Sequence, residues 1–600
     1  MNTADALLLE ISWEVCNQQG GIYTVIRSKL PAVRSIWGDE YGLIGPYLDP
    51  KVKAEIDIIS DPTDVLFQAT EKMRAMGFDI LYGRWLVTGK PKVILINPDR
   101  VFNKLDNIKK SFFEAYKIHT DNVEKLVDET LMFADVVKTF LSVLCQPSLI
   151  GTKQVISHAH EWMAVGGNLL AKAEGIKFKS VFTTHATILG RYLAMNEENF
   201  YERLGEFDWK KESKRFGIQT QTELEHYGGK YSDVFTTVSD LTVKECEVLL
   251  KVKPDVVTPN GINIDRFAAF HEVHKRHHEF KSKIHRFTVG HFFQNHTFDL
   301  NNTLYFFTSG RYEYKNKGFD ITLNALKKLN LMMIENDIDI TVVFFLITKK
   351  PTWSINPNVL ESRGVLEEIS HDCEAITQEV EEKLFFTAAS SNKNDGLPDL
   401  NSLVSDYWKL RYRRTLQAWR SNQWPLIVTH NLKDDVNDEV LNHMRRDNML
   451  NSPLDKVKLV YHPDFISSSN PLFGIDYDDF VRGCHLGIFP SYYEPWGYTP
   501  MECIARGVPT VTSDLSGFGN YVMKHHQEGL EEIGVNVLKS DGNTAESAEN
   551  DLAKLLFNFV KTSKRARMDM RNKLEDFAEN FDWKQLAKFY EQAYLQALAS

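Results

Sequence analysis

The chain has 600 residues, 43% hydrophobic and 25% charged, and its 70 basic against 81 acidic side chains leave a net charge of −11. That length exceeds what one core serves, so two or more large domains of a soluble globular protein are expected, and the acidic balance argues against nucleic acid as the main partner. No apolar run approaches the roughly 18 residues of a membrane span. Met1-Asn2-Thr3-Ala4-Asp5-Ala6 lacks the basic start and apolar core of a secretory signal. Six scattered cysteines with no Cys-x-x-Cys pair exclude the common zinc spacings and point to free thiols in a reducing cytoplasm.

In chain order, the first half alternates short β-rich runs with helical patterns. Leu7–Val15, Val181–Thr187, Val234–Ser239 and Asp255–Thr258 read as strands ending in polar or Gly-bearing turns, the pattern of a parallel sheet covered on both faces. The first of them leads into Asn17-Gln18-Gln19-Gly20-Gly21-Ile22-Tyr23-Thr24. Paired glycines between strand and helix let the backbone approach a phosphate or sugar, with helix N–H groups behind it. A plain tight turn has the same spelling. The spaced Gly-x-Gly-x-x-Gly of dinucleotide enzymes is not used here, which counts against a dehydrogenase. His160-Glu161-Trp162 and Thr183–Arg191 follow strand-like runs. A strand-end histidine is usually a satisfied core group, but Arg191, read in one loop with His185, favours a site.

From Arg266 to Asn302 the composition turns His- and Lys-rich (His271, His274, His277, His278, His285). Irregular spacing among Lys and Glu disfavours a metal site, and the segment reads as a solvated helix between domains. A second alternating series follows: Thr303–Ser309, Ile340–Thr348, Leu426–His430, Val457–His462, Leu486–Pro490 and Thr510–Ser513, a second doubly wound domain. Between its second and third strands, Pro351–Trp424 carries two long helical patterns around a polar Ser390–Pro398 link, too much to bury both faces on its own domain. Arg311 and Lys317 close the first strand of this series at a Gly-bearing turn, Ser309–Gly318. A departing diphosphate gathers negative charge, and two cations so held can stabilise it. Asp337-Ile338-Asp339 and Asp476-Tyr477-Asp478 spell the Asp-x-Asp with which other transferases hold a metal. The first precedes a strand and the second opens a helix, so neither is assigned a metal.

Ser491–Gly507 reads Ser-Tyr-Tyr-Glu-Pro-Trp-Gly-Tyr-Thr-Pro-Met-Glu-Cys-Ile-Ala-Arg-Gly, setting Glu494 on a loop and Glu502 in a first helical turn. The apolar Leu486–Pro490 ahead of it puts both carboxylates at the carboxyl end of a buried strand, where open α/β sheets bind ligands and where sugar hydroxyls find acceptors. Thr499-Pro500-Met501-Glu502 equally spells a capping box with Thr499 as N-cap. Glu494 lies among Tyr492, Tyr493, Pro495 and Trp496, more aromatic surface than a plain loop carries.

With the blocks above in the same order from about Leu8 to near residue 597, this motif resembles glycogen synthase of the animal and fungal type. That family consists of retaining glycosyltransferases whose two Rossmann-like domains face a deep cleft (GT-B). The resemblance implies an α/β fold with an acceptor-side domain over 1–265, a helical segment over 266–302 and a nucleotide-sugar domain over 303–584. Within the last lies the insertion at about 351–424, which the family uses for tetramer assembly, and a terminal helix over 585–600 crosses back. It implies transfer of glucose from UDP-glucose to the non-reducing end of an α-1,4-glucan, with no metal and no pyridoxal phosphate, and a glycogenin-like priming partner. An ADP-glucose-using synthase or another retaining GT-B transferase is the alternative. A glycogen phosphorylase would need a lysine-bound pyridoxal phosphate, and a non-catalytic glucan scaffold could dispense with Glu494, Arg311 and Lys317.

The resemblance further implies the site. Glu494, His185, Arg311, Lys317 and Arg191 would be catalytic, His185 beside the sugar C6 and Arg191 at the donor phosphates. Gly20, Gly21, Glu502 (holding the ribose), Thr499 and Asn260 would bind donor. Phe465, Tyr477 and Tyr498 match the uracil wall, where aromatic faces stack at little entropic cost, though a core role fits each equally. Glu161 would face the acceptor. Gln18 stands where the family usually has Lys or Arg. Lys561–Lys573 aligns with the arginine-rich helix that binds glucose-6-phosphate, with Arg565, Arg567 and Arg571 as effector ligands, although a solvated face is the plain reading. Lys564 and Lys573 replace arginine and Asp576 a further base, so the cluster is thinner, and the two lysines cannot offer arginine's bidentate fork. The chain also stops at Ser600 with no Ser-rich tail. These features predict an enzyme active without effector, with weak or absent activation.

Overall fold

The computed structural model describes residues 5–267, 272–390, 396–526, 528–542 and 544–600. His271 and the middle of the Ser390–Pro398 link lie outside them. Two sheets organise the chain. The first has nine strands in the order Ile56–Ile58, Ile80–Trp85, Lys92–Ile96, Tyr41–Pro46, Ala6–Ile11, Gln154–His160, Lys179–Thr184, Val234–Thr237 and Val256–Val257. Only the pairings among its first three strands are antiparallel. The second has six parallel strands: Val457–His462, Thr341–Thr348, Thr303–Gly310, Leu486–Ile488, Thr510–Ser513 and Val535–Leu538. Continuous apolar runs such as Thr-Val-Val-Phe-Phe-Leu-Ile-Thr are what a sheet buried on both faces requires.

Among the parallel strands of each sheet the strand order reverses once. The reversal falls between Ala6–Ile11 and Gln154–His160 in the first, and between Thr303–Gly310 and Leu486–Ile488 in the second. At such switch points the following loops diverge and leave a crevice at the carboxyl ends. The glycine turn and the Glu161 loop therefore flank one crevice, the Arg311–Lys317 turn and the Glu494 loop the other.

Three expectations are corrected. Leu426–His430 is not a full strand of the second sheet. Val428 makes a single bridge to Tyr461, and the strand proper, His430–Leu432, pairs antiparallel with Thr352–Ile355 at the base of the insertion. The His-rich segment is not a solvated inter-domain helix. Helix Val273–Phe292 buries Phe280, Ile284, Phe287 and Phe292 in the second domain, because these recur at helical spacing on one face. The terminal helix begins at Trp583 and buries Trp583, Leu586, Tyr590 and Tyr594 against the first sheet and helix Gly21–Trp37. Among its described residues the insertion carries two long helices, the 34-residue Pro357–Ser390 and the 14-residue Asp406–Trp419. They are tied by Asp372, which accepts from Arg411 (2.7 Å) and Thr415 (2.9 Å). Phe385, Phe386, Tyr407 and Leu410 stay exposed on it, as a hairpin too large for its own domain must leave them. Among the described residues no helix is long and apolar enough to cross a membrane.

Two glycines make opposite predictions. Gly318 opens helix Phe319–Glu335 at φ +66°, and a Cβ there would lie 2.2 Å from the Pro490 carbonyl oxygen. Gly318→Ala should lower stability by about 2 kcal/mol or more, from left-handed strain plus the clash. Gly364, mid-helix with open space around it, should gain about 0.5–1 kcal/mol as Ala. Calorimetric midpoints of the two variants check both signs.

Candidate active site

The second crevice is built by two turns. After Thr303–Gly310 the chain folds back through Lys317 N–H to the Glu313 carbonyl (2.9 Å), presenting Lys317 beside the sheet. After Leu486–Ile488 the Glu494 loop is held by Gly517 N–H on the Glu494 carbonyl (2.9 Å) and Phe518 N–H on the Trp496 carbonyl (2.7 Å). Gly497 then turns the chain at φ +114° into helix Tyr498–Ala505. These turns bring the Lys317 ammonium onto a Glu494 carboxylate oxygen, and the pair lines a cavity with Ser309, Thr499 and Thr512. Arg311, two-thirds exposed, pairs with Glu313 at 3.1 Å.

The first domain closes the opposite wall. Arg191 lies in the first turn of helix Ile188–Asn196 rather than in a loop with His185. Tyr493 of the Glu494 loop and Glu161, Glu313 and Glu225 hold its charge firmly on, against the cost of burial. Glu161 sits at φ +68° ahead of helix Trp162–Ala173, and its Oε1 accepts the backbone N–H groups of His185 (2.8 Å) and Ala186 (3.3 Å). Burial pushes it up to about 7 against Arg191 and those two donors. His185 is buried, with Nε2 3.0 Å from His160 Nδ1. The domains meet where Tyr493 reaches Glu245 (3.3 Å), which also accepts from Thr187 (2.7 Å) and Tyr201 (3.0 Å).

The structure thus brings Glu494, Lys317, Arg311, Arg191, His185 and Glu161 to one cleft, and it changes the reading of several others. Glu502 is no capping residue: Gly497 holds the N-cap position, and Glu502 instead faces Arg506 (3.4 Å), which also grips Asp478. Gly20 does not offer a free N–H. Glu14 Oε2 takes it at 2.8 Å together with that of Tyr23 at 2.9 Å. Gly21 begins the helix itself. Tyr477 is held by its hydroxyl to Ser309 Oγ (2.6 Å), and Phe465 is 67% exposed with Lys349 over its ring at 5.3 Å. Tyr498 joins the apolar layers shared with the terminal helix, its core alternative. Asn260 is buried with Oδ1 unpaired. On helix Lys564–Ala578, Arg565 is exposed, while Arg571 is buried and donates to the carbonyls of Cys484 (3.0 Å) and Gly507 (3.3 Å). Burial draws Lys281 down, and the neighbouring charges of Lys564, Arg567 and Arg571 draw it further. Asp476 accepts from Ser468 N–H (3.0 Å), and its Asp-x-Asp partner Asp478 pairs with Arg506.

Sequence reading missed Glu14, Glu225, Glu245 and Glu10. Glu10 had a visible signal, a lone charge inside the apolar Leu7-Leu8-Leu9-Glu10-Ile11 run.

Two facing doubly wound sheets with a carboxylate and cations between them have the layout of a GT-B glycosyltransferase. The family described as glycogen synthase matches residues 10–600. Glycogen (starch) synthase of Neurospora crassa is 38% identical over 593 residues, covering 99% of this chain and 83% of its own. The liver glycogen (starch) synthase of Mus musculus is 37% identical over 594 residues, covering 98% and 83%. A solved structure, the catalytic domain of starch synthase IV from Arabidopsis thaliana bound to ADP and acarbose, aligns over 99% of this chain and 100% of its own at 14% identity and a TM-score of 0.49. The chain belongs to the glycogen synthase family and is a glycosyltransferase.

Burial raises Glu245 to about 7, against the Thr187, Tyr201 and Tyr493 hydroxyls. A carboxyl whose folded pKa is raised binds more protons folded than unfolded, so it costs stability as pH climbs from about 4.5 to 7, and the cost is constant above. Glu245→Gln, neutral throughout, should therefore raise the melting temperature relative to the parent at pH 8, with the difference vanishing near pH 4. Melting curves across that range check it.

Proposed function

We propose that this enzyme extends an α-1,4-glucan, moving glucose from UDP-glucose to the non-reducing end with retention of configuration. The observation that carries the reading is the Lys317–Glu494 pair at the second switch point, with Arg191 of the first domain held near Tyr493 of the same loop and Glu313 of the same turn. A diphosphate leaving from that point meets Lys317, Arg311 and Arg191, three cations that take up its charge as the glycosidic bond breaks. Glu494 orients the glucosyl hydroxyls and supports positive charge at C1. Glu502 takes the ribose, beside Tyr477. Phe465 offers an exposed face to the base, and Thr499 lines the same cavity. No side chain acts as covalent nucleophile in this reading. Same-face displacement, with a leaving-group oxygen taking the acceptor proton, gives retention. Closure of the domains excludes water from the donor. A donor phosphate reaching the Gly20–Gly21 turn would exchange with Glu14. Asn260 lies where the chain leaves the first domain, and Glu161 serves the acceptor side through the His185 loop. The exposed apolar face of the insertion fits a tetramer contact, and a glycogenin-like protein would supply primer.

Glu494→Gln should cut turnover by two orders of magnitude or more, with a much smaller change in donor affinity, if the carboxylate acts on charge that develops only in the transition state. Lys317→Ala and Arg311→Ala should each cripple transfer, with no rescue by magnesium and no loss of parental activity to EDTA. Initial rates with UDP-glucose and ADP-glucose, with and without glycogen, test donor and acceptor together. A faster rate with ADP-glucose would select the alternative donor.

The effector reading rests on a second group. Arg567 and Arg571 gather with Lys281 and the buried His277 and His485, a concentration of bases suited to a phosphate. Arg571 is committed to two carbonyls, and Arg565 is exposed. We expect glucose-6-phosphate to raise the rate less than tenfold. A larger activation, abolished by Arg567→Ala with Arg571→Ala, would show that the thinner cluster works as a full switch.

A further inference from the structure

We propose that Glu10, buried on the central strand Ala6–Ile11 of the first sheet, is a positioning residue that acts through His160 to fix the tautomer and orientation of His185. The inference rests on the reading of His185 as a group that touches the donor sugar.

Glu10, His158 and His160 share one face of the first sheet, because Glu10 pairs with His158 in register and His160 lies two residues on. Helix Gly21–Trp37 and the terminal helix cover that face. From them Lys29 reaches Glu10 Oε1 at 2.9 Å and the Tyr594 hydroxyl donates to the same oxygen at 2.9 Å. Tyr41 donates to Oε2 at 3.1 Å, and His160 Nε2, which makes no hydrogen bond, stands 3.6 Å from Oε2, its nearest charged group. Tyr590 lies under the Lys29 ammonium, 4.1 Å from its ring centre. Glu10 and Lys29 are 0% and 1% exposed. A buried ion pair is poor value as a stabiliser, since apolar residues of similar volume hold a core as well or better. Its presence asks for another role.

The proton logic supplies one. Glu10, held ionised by Lys29 and the histidines against the cost of burial, can only accept. His160 is held neutral by burial, so it has one N–H. If that proton sat on Nδ1, a bare nitrogen lone pair would face the Glu10 carboxylate. It therefore sits on Nε2, and Nδ1 accepts. His185 Nε2, 3.0 Å away, must then be the donor, which leaves His185 Nδ1 as a lone pair. That atom is buried and has no partner, so it is free to accept from a hydroxyl of the bound sugar. The same reasoning sets His158. The Tyr594 hydroxyl donates to Glu10 and so accepts from His158 Nδ1 at 3.0 Å, and His158 Nε2 accepts from Thr183 at 2.6 Å.

Glu10, His158 and His160 are close enough to one another to suggest a metal triad. Their contacts oppose it. Both nitrogens of His158 are engaged, and a cation at Glu10 would have to displace the Lys29 ammonium and two hydroxyls.

The test combines NMR of ¹⁵N-histidine-labelled enzyme with kinetics. In the parent at pH 7, His160 and His185 should both be neutral and protonated at Nε2. Glu10→Gln combined with Lys29→Met removes both buried charges together. It should abolish that single tautomer at His185 and lower kcat about tenfold to a hundredfold, while donor KM and melting temperature change little. His160→Phe, which leaves the Glu10–Lys29 pair in place, should give a similar kcat loss should the double variant fold poorly. Neither change should cost anything further in a His185→Ala background. A proton on Nδ1 of His185 in the parent, kcat within twofold of the parent in both variants, or losses additive with His185→Ala would each overturn the proposal. Full activity of His185→Ala alone would instead overturn the role of His185, and the tautomer measurement would still judge the relay.

Discussion

The chain passes between the domains twice, and the two passages are bonded to each other. Ile262 N–H donates to the Phe581 carbonyl at 2.9 Å, and Trp583 N–H donates to the Ile262 carbonyl at 3.0 Å. Everything from the His-rich helix to residue 578 is thereby hung from one narrow double strand. A pair of adjacent crossings leaves rotation about one axis as the easy relative motion, because few backbone angles need change. The terminal helix that follows then anchors the return passage on the first sheet through Trp583, Tyr590 and Tyr594. Removing that helix would expose the first sheet and release the second passage together.

The cleft that this hinge serves is electrostatically mixed. Its cations, Arg191, Arg311 and Lys317, each already face carboxylates: Glu161 and Glu225 around Arg191, Glu313 beside Arg311, Glu494 on Lys317. Without such partners, three positive charges brought together in a partly buried crevice would repel and open it. With them, the charges of the empty cleft are balanced. Glu14, bonded to two N–H groups of the glycine turn, plays the same part on the first domain.

Histidine and tyrosine carry much of the buried polar chemistry. The Glu10 group ties the sheet to two helices, and the Glu245 group ties Tyr493, and so the Glu494 loop, to the first domain. Both are satisfied by hydroxyls whose protons turn to suit, which lets a buried carboxylate be shared among several elements. Position in the fold distinguishes them: the first lies behind His185, the second at the domain contact beside it.

The sequence by itself determined the class of fold and the family. Apolar runs ended by polar or Gly-bearing turns are local signals, and Glu494, Lys317, Arg311 and His185 stand at the end of such a run or in the turn that follows it. The Glu494 motif and its neighbours carried the family resemblance on residue identity alone. Tertiary structure decided what depends on partners far away in the chain. His160 ends a strand-like run, and only the helices packed on strand Gln154–His160 make His158 and His160 a buried pair. Glu502 spells a capping box, yet Gly497 takes the cap because it alone tolerates φ +114° there. The His-rich helix looks solvated until the second domain's phenylalanines cover one side of it. Gly20 looks free until Glu14 folds back on it. In each case the side chain's role is set by which non-local group reaches it first, and local composition holds no record of that.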